Sequence, residues 1–374
     1  MSKLLLSLAT PGLAIIALVQ CSPGPGAQGT IGYAPVSAAV ASMAVRARAR
    51  EPVVYAAYHD SVVAYSAASG TIVRTLTGLS NPSALAVDRD GSLYVLNSAG
   101  QRKVRRFVTE FAPGASTPER TIANVANSGA NPLAARAGTL YVLENGGISE
   151  YGPGETSIGK TLHPEDRFAW YDGFALGPSN ALAASEWKGQ GSPIAGFVAK
   201  YGRAGHLLHR STTGAEPTSV AIDGGGDIFV AGTVGARGSY SNAVIEYSPA
   251  LAKLHAIVLP GPPRDFVNIA TDDAGRLYVL LPPARSGPWA LAVYAPGSTE
   301  PTLSVAVRDP QAMAVDLAGD VFLIHSTAEG GCSPCTLAEI ASGSSTMRTL
   351  ATIRSGDGFP VTAIALGSLQ AATE

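Results

Sequence analysis

Residues 82–122, PSALAVDRDGSLYVLNSAGQRKVRRFVTEFAPGASTPERTI, decide the fold because they contain four short strand patterns in succession. Residues 85–87 form a small apolar run, and residues 88–91 (DRDG) form a turn whose glycine can take a positive φ. Residues 93–96 are rich in β-forming side chains. A third strand is predicted over residues 108–111, and a fourth over residues 120–122 after the break Ala-Pro-Gly.

Degraded copies of this unit recur towards the C-terminus. The most regular marker is an aromatic or apolar residue at the turn between third and fourth strands, followed by small residues, Pro and Gly. It occurs at Tyr65, Phe111, Tyr151, Tyr201, Tyr247, Tyr294 and Ile340, at intervals of 40 to 50 residues. Seven copies of a four-stranded unit predict an all-β chain folded as a seven-bladed β-propeller.

The first strands carry a second repeated pattern. An alanine flanked by apolar residues precedes an aspartate at Asp88, Asp223, Asp272 and Asp316. We expect the alanine because first strands crowd around a propeller axis, where larger side chains would clash. We expect the aspartates to accept backbone N–H bonds within the first hairpin turn, which is a structural role.

The two ends of the repeat array predict how the ring closes. Residues 53–55, 62–65 and 72–76 have the pattern of second, third and fourth strands, but no first strand precedes them. Residues 360–366 have the pattern of the missing strand. The C-terminal strand should therefore complete the first blade and leave no unpaired edge.

The N-terminal segment has the composition of an export signal. One lysine precedes an apolar run that ends at Cys21, which is too short and too broken for a membrane span. Either Cys21 is the lipidated cysteine of a lipoprotein-type signal, or an ordinary signal is cut near Ala27 and Cys21 is discarded. We predict a signal over residues 1–21, a flexible linker over 22–50, the propeller over 51–368 and a tail over 369–374, in a protein outside the cytoplasm.

Composition favours a repeat array over a single ordinary core. The chain has 42 Gly and 26 Pro, only 14% charged residues and few runs with helical period, so an all-β repeat fold fits better than a helical one. The formal net charge of −2 gives no support for nucleic-acid binding. We expect a monomer that meets a membrane only through a lipid on Cys21.

The repeat resembles those of NHL and YVTN-type propellers. The pattern Pro-x-x-Φ-Ala-Φ-Asp-x-x-Gly-x-Leu-Tyr-Val is found in residues 82–95 and, less completely, in 310–323, and the resemblance covers nearly all of 51–368. It implies the fold, which in this superfamily supports scaffolds, binding proteins and a few lyases and lactonases that hold metal ions. We find no comparable ligand set, and predict no catalytic residues, metal or cofactor.

Polar residues that follow the second strands differ from blade to blade. They are Asn97, Glu144, Glu186 and His325, with His59 in the first blade and Gly232 and Leu281 in two others. We expect them to project towards the axial opening, where a ring of this kind could hold a polar ligand or a weak metal site. The alternative is that mixed side chains at loop entrances reflect sequence drift.

The connections between second and third strands are longer in blades four to seven. They are predicted over residues 187–196, 232–242, 282–289 and 326–334, and contain Trp187, Tyr240 and Trp289 among many Gly and Pro. Such loops are typical of a recognition rim for a protein or a glycan. Surface loops also tolerate insertions without any function.

Cys332 and Cys335 form a C-x-x-C motif in the last of these loops. No helix is predicted there to lower a thiol pKa, and zinc would need two further ligands. A local disulfide is therefore predicted in an oxidising compartment.

Two functions are consistent with these features. The first is an extracytoplasmic binding or scaffold propeller that recognises a protein or glycan through the rim of blades four to seven. The second is a lyase- or lactonase-type enzyme that uses the polar ring at the axial opening, and it requires Glu144, Glu186 and His325 to converge on one point.

Overall fold

Alternation of apolar strands with Gly- and Asp-containing turns produces seven four-stranded antiparallel sheets, arranged as the blades of a propeller. The protein is represented by a computed structural model. It describes residues 51–100, 104–125, 133–144, 146–165, 169–178, 181–188, 195–203, 205–236, 239–260, 268–283, 287–326, 334–353 and 363–369. The predicted signal and linker, residues 1–50, lie outside the described residues.

Each sheet contains four consecutive strands except in blade one. The strands are β1 (Glu51–Ala57), β2 (Val62–Ser66), β3 (Ile72–Leu76), β4 (Ala84–Val87), β5 (Leu93–Ala99), β6 (Arg105–Phe111), β7 (Arg120–Ala123), β8 (Leu133–Arg136), β9 (Thr139–Glu144), β10 (Gly147–Tyr151), β11 (Lys160–Leu162), β12 (Ala169–Leu176), β13 (Leu182–Lys188), β14 (Ala195–Tyr201), β15 (Leu207–Thr212), β16 (Ala215–Ile222), β17 (Ile228–Ala236), β18 (Ser239–Tyr247), β19 (Lys253–Val258), β20 (Asn268–Thr271), β21 (Leu277–Leu281), β22 (Trp289–Tyr294), β23 (Pro301–Val307), β24 (Pro310–Val315), β25 (Val321–Ser326), β26 (Cys335–Ile340), β27 (Arg348–Ile353) and β28 (Ala363–Leu369).

Blade one has the strand order β28-β1-β2-β3, so the predicted closure is confirmed. β28 pairs antiparallel with β1 along its whole length, from Glu51 opposite Leu369 to Ala57 opposite Ala363. The C-terminal strand therefore occupies the first-strand position of the blade that the N-terminal strands begin, and β1 has no free edge.

The alanine of each first strand has a specific partner. In six of the seven blades it lies directly opposite an aromatic residue of the second strand, as Ala86 does with Tyr94 and Ala270 with Tyr278. A small residue leaves room for the ring where the sheets approach one another most closely. The exception is blade four, where Ala175 faces Ala183.

The hydrophobic core is divided into layers between adjacent blades. Second-strand side chains alternate between the two neighbouring layers: Leu93 and Val95 pack with residues of blade one, and Tyr94 and Leu96 pack with residues of blade three. Second strands are therefore buried on both faces, which explains their continuous apolar sequences.

The predicted role of the turn aspartates is confirmed. Asp88 Oδ1 accepts hydrogen bonds from the backbone N–H groups of Asp90, Gly91 and Ser92, at 2.9 to 3.0 Å. Its other oxygen accepts a hydrogen bond from the N–H of Gly138, at 3.0 Å, in the next blade. One carboxylate thus fixes its own turn and the neighbouring blade.

Arginines of the outer strands also connect adjacent blades. Arg74 donates to the carbonyl of Ala115, Arg120 to that of Gly152 at 2.9 Å, and Arg348 to that of Ala68 at 2.9 Å. Every acceptor lies in the third-to-fourth-strand turn of the following blade, and the Arg348 bond spans the closing seam between blades seven and one.

In the ranges given above, no helix is long and apolar enough to cross a membrane.

Candidate binding site on the upper face

Antiparallel strand order places two sets of connections on one face of the propeller. These are the hairpins between second and third strands and the entries into the first strands, and we call this face the upper face. The first hairpins, with their aspartates, lie on the lower face. The upper face carries the residues that the sequence singled out.

The predicted polar ring does not surround the axis. Asn97, Glu144, Glu186 and His325 lie within the second strands rather than after them, and all are buried. By strand alternation, Asn97 shares a face with Leu93 and Val95, which pack against blade one. Each of the other three likewise points towards the preceding blade.

The four side chains consequently occupy four different layers between blades, which corrects the expectation that they meet at the axial opening. Pairing of β1 with β2 places Tyr58, rather than His59, at the equivalent position of blade one. Gly232 and Leu281 hold that position in blades five and six.

Each polar side chain of this set has partners within its own surroundings. Asn97 donates to the carbonyl of Val95 and to Thr109 Oγ1. Glu144 accepts hydrogen bonds from Ser149 Oγ at 2.7 Å and from the hydroxyl of Tyr151 at 3.1 Å. These bonds satisfy groups that burial would otherwise penalise, so their role is structural.

His325 makes a comparable local contact, because its Nδ1 lies 3.1 Å from the backbone oxygen of Ser326. Among the residues placed by the structure, no three His, Cys, Asp or Glu side chains lie close enough together to hold a metal ion.

The first strands line an open depression of about 420 Å³. Its lining side chains are all Leu, Ala or Val and come from the first strands β4, β8, β12, β24 and β28. Such a lining offers contact area but no side-chain donor or acceptor to orient a polar substrate.

The three aromatic residues predicted for the rim lie on strands. Trp187 belongs to β13, Tyr240 to β18 and Trp289 to β22, and all three are half-buried. In blade five the predicted loop over residues 232–242 is wrong: β17 and β18 remain paired as far as Ala236 opposite Ser239. The two strands therefore form a long hairpin in place of the predicted loop.

Blade four carries an aromatic pair that the sequence only half revealed. Trp170, near the start of β12, lies directly opposite Trp187 on β13. The ring centroids are 4.4 Å apart with an interplanar angle of 76°, which is an edge-to-face contact. Trp170 is 36% exposed, a large value for a tryptophan.

Burial of the Trp187 indole N–H makes folding less favourable. Its indole Nε1 is buried and has no hydrogen-bond partner among the described residues. A buried donor without an acceptor costs about 1–3 kcal/mol. The loss of this hydrogen bond alone would therefore favour Phe over Trp at this position.

A buried ionic network holds the same end of blade four. Arg210 donates from Nε at 3.0 Å and from its terminal nitrogen at 2.7 Å to Glu186 Oε2, and Glu186 is fully buried. The guanidinium also stacks on Phe197, 3.7 Å from the ring centroid. Behind it, the hydroxyls of Tyr171 and Tyr201 share a hydrogen bond.

Burial, together with the Tyr201 contact, raises the pKa of Tyr171. Both tyrosines therefore stay neutral across the physiological range, and the hydrogen bond between their hydroxyls is kept.

Asp172 is the residue at this site that sequence reasoning missed. It is the extra residue of a β-bulge between Tyr171 and Gly173, and bulges redirect side chains at functional edges. Burial, and secondarily the charge of Glu216 on β16, raises the pKa of Asp172 from 3.8 to about 6. Thr218 and Gln311 occupy the equivalent bulges of blades five and seven.

The cysteine predictions are tested only in part. Cys335, at the start of β26, is buried and disulfide-bonded. Its predicted partner Cys332 lies outside the described residues, as does Cys21, so the pairing and the lipidation stay predictions.

The sequence matches no protein-family model. It also matches none of the curated proteins.

Hydrazine synthase from Kuenenia stuttgartiensis is similar with a TM-score of 0.55 at 14% identity, over 76% of this chain and 90% of that one. Apo AztD from Citrobacter koseri is similar with a TM-score of 0.52 at 14% identity, over 86% of this chain and 99% of that one. Identities this low show the propeller fold alone, and membership of the NHL and YVTN-type group stays a prediction.

Proposed function

We propose that the protein is an extracytoplasmic binding or scaffold propeller that recognises a protein or a glycan through the upper face of blades four to seven. The observation that carries this proposal is the half-exposed Trp170 held edge-to-face by Trp187. Rigid aromatic side chains supply large contact area at low entropic cost, and are enriched at binding surfaces.

The arrangement of the rest of this face supports a binding role. Blade five adds the long β17–β18 hairpin with Tyr240, and blade six adds Trp289. The buried Arg210–Glu186 pair stabilises the end of blade four that carries Trp170 and Trp187, and preorganisation of this kind favours affinity. The location outside the cytoplasm rests on the N-terminal sequence, with Cys21 either lipidated or removed.

Affinity capture tests the proposal. The immobilised protein, a Trp170→Ala/Trp289→Ala variant and a Leu317→Ser variant would be incubated with envelope proteins and with extracted glycans. Leu317 is 72% exposed in a lower-face turn, so its replacement is the matched control. We expect one retained species to be lost from the upper-face variant and kept by the control. Equal retention by all three would contradict the proposal.

A further inference from the structure

The aromatic pair of blade four is fixed before any ligand arrives. Trp170 touches Trp187 on one side, with 4.4 Å between ring centroids. On the other side lies Gly146 of blade three, at the turn between β9 and β10. A methyl group added at Gly146 would lie 3.1 Å from Trp170 Cβ, so the backbone of the preceding blade approaches the base of the Trp170 side chain.

Trp170 is therefore 36% exposed while its ring packs against Trp187. A ring that is already packed in the free protein loses less conformational entropy on binding than a freely rotating one. The exposed part of Trp170 provides an apolar surface at the upper end of blade four.

Carboxylates lie beside this surface. Asp172 follows Trp170 by two residues, at the β-bulge that interrupts the regular alternation of side chains along β12. Glu216 lies at the start of β16, the first strand of blade five, which packs beside β12, and its charge contributes to the raised pKa of Asp172. Lys188, the cation on β13, already has a partner within the protein.

We propose that Trp170 and Asp172 form a binding subsite for a neutral sugar ring of a glycan. The proposal rests on the proposed function, of which it names the ligand class. A pyranose has an apolar C–H face and a rim of hydroxyl donors. The C–H face packs on the negative face of the indole, and the hydroxyls donate to the Asp172 and Glu216 carboxylates.

The negative charge of the two carboxylates determines which glycans this subsite can bind. Two carboxylates beside the platform repel uronate or sulfate groups, while a neutral sugar replaces the water that solvates them. Trp187 is a positioning residue in this arrangement, because it orients Trp170 through the edge-to-face contact and its own N–H is buried.

Electrophoresis in native gels tests this subsite. The protein would be run in gels containing a neutral β-glucan, a galactomannan, an arabinoxylan or, as the anionic comparison, polygalacturonate. We expect at least one neutral polysaccharide to retard the protein and polygalacturonate to have no effect. Trp170→Ala should weaken retardation at least tenfold, and Trp170→Phe by less than Trp170→Ala.

The control is Leu208→Ala, which removes a 53% exposed apolar side chain from the outer strand of the same blade. It should leave retardation unchanged. The Trp170→Phe variant keeps an aromatic surface, so a folding defect of Trp170→Ala cannot decide the test.

Three results would overturn the subsite: no retardation by any neutral polysaccharide, retardation by polygalacturonate alone, or equal losses from Leu208→Ala and Trp170→Ala. If upper-face variants nevertheless lose a captured protein, the proposed function stands and only this inference fails. If no species depends on the upper face in either assay, both fail.

Discussion

The buried pair of Arg120 and Glu110 allows a quantitative test of how the blades are joined. Their side chains are only 8% and 10% exposed. Arg120 Nε donates to Glu110, and Nη1 donates to the carbonyls of Gly152 and Glu155 in the next blade. In blade seven the pair of Arg348 and Glu339 has the same cross-strand register, but the Arg348 side chain is 54% exposed.

The two pairs share chemistry and differ mainly in the exposure of the arginine, so they make a matched comparison. Arg120→Met leaves the Glu110 carboxylate buried without its cation, and we expect a loss of about 3–5 kcal/mol in the free energy of unfolding. The Glu339 side chain is only 13% exposed, but Arg348 is largely solvated, so Arg348→Met should cost clearly less free energy of unfolding than Arg120→Met does.

Urea unfolding followed by far-UV circular dichroism and by tryptophan fluorescence measures both losses. The slope of the unfolding free energy against urea concentration should be the same in each variant. The transitions seen by circular dichroism and by fluorescence should coincide, so that differences between midpoints can be converted to free energies. Replacing both partners, Arg120→Met with Glu110→Leu, should recover most of the loss because no buried charge is left. A loss below about 1 kcal/mol for Arg120→Met, or equal losses from both arginines, would refute this reasoning.

Three further outcomes are expected. Deletion of residues 363–374 should abolish cooperative unfolding, because β1 loses its partner β28, whereas deletion of 370–374 should leave the melting temperature unchanged; a stable ring without β28 would contradict the closure. Trp187→Phe should change the free energy of unfolding by less than about 1 kcal/mol, since it removes an unpaired buried N–H, and a loss above about 2 kcal/mol would contradict that account. Because the pKa of Asp172 is raised from 3.8 to about 6, its protonated form stabilises the fold below pH 3.8, and this contribution is lost as the pH rises through 6. Asp172→Asn should therefore be more stable than the wild type at pH 8, by about 3 kcal/mol at most, and should have no such advantage at pH 3. Equal differences in stability at the two pH values would contradict the raised pKa.

The fold could be predicted from sequence because its determinants are local and repeated. Tyr151, Tyr201, Tyr247 and Tyr294 each end a third strand, as their spacing indicated. Ring closure was predictable for a similar reason, since a strand absent from the first unit had to be supplied at the other end of the array.

The site could not be predicted to the same extent, because its position depends on where strands end and shift register. Asn97 was placed after a strand predicted to end at residue 96, but pairing with β6 continues to Ala99 and buries the side chain. Asp172 was missed because it lies in a β-bulge. No local sequence pattern predicted this bulge, and it interrupts the alternation from which the two faces of a strand are inferred. Trp170 lay in a segment with no recognised partner until β13 was placed beside it.

Closure by β28 also determines the order in which the molecule can mature. β1 is the first of the described strands to be synthesised and β28 the last, and the side chains of Val53, Val54 and Tyr55 are fully buried only once both are present. Until then, a growing chain carries an apolar strand with one open edge, which is a site for aggregation.

A strand of matching register is also present in every other copy of the chain. Exchange of β28 between two copies would satisfy both edges and yield linked rings, so dilute conditions during refolding favour the closed single propeller.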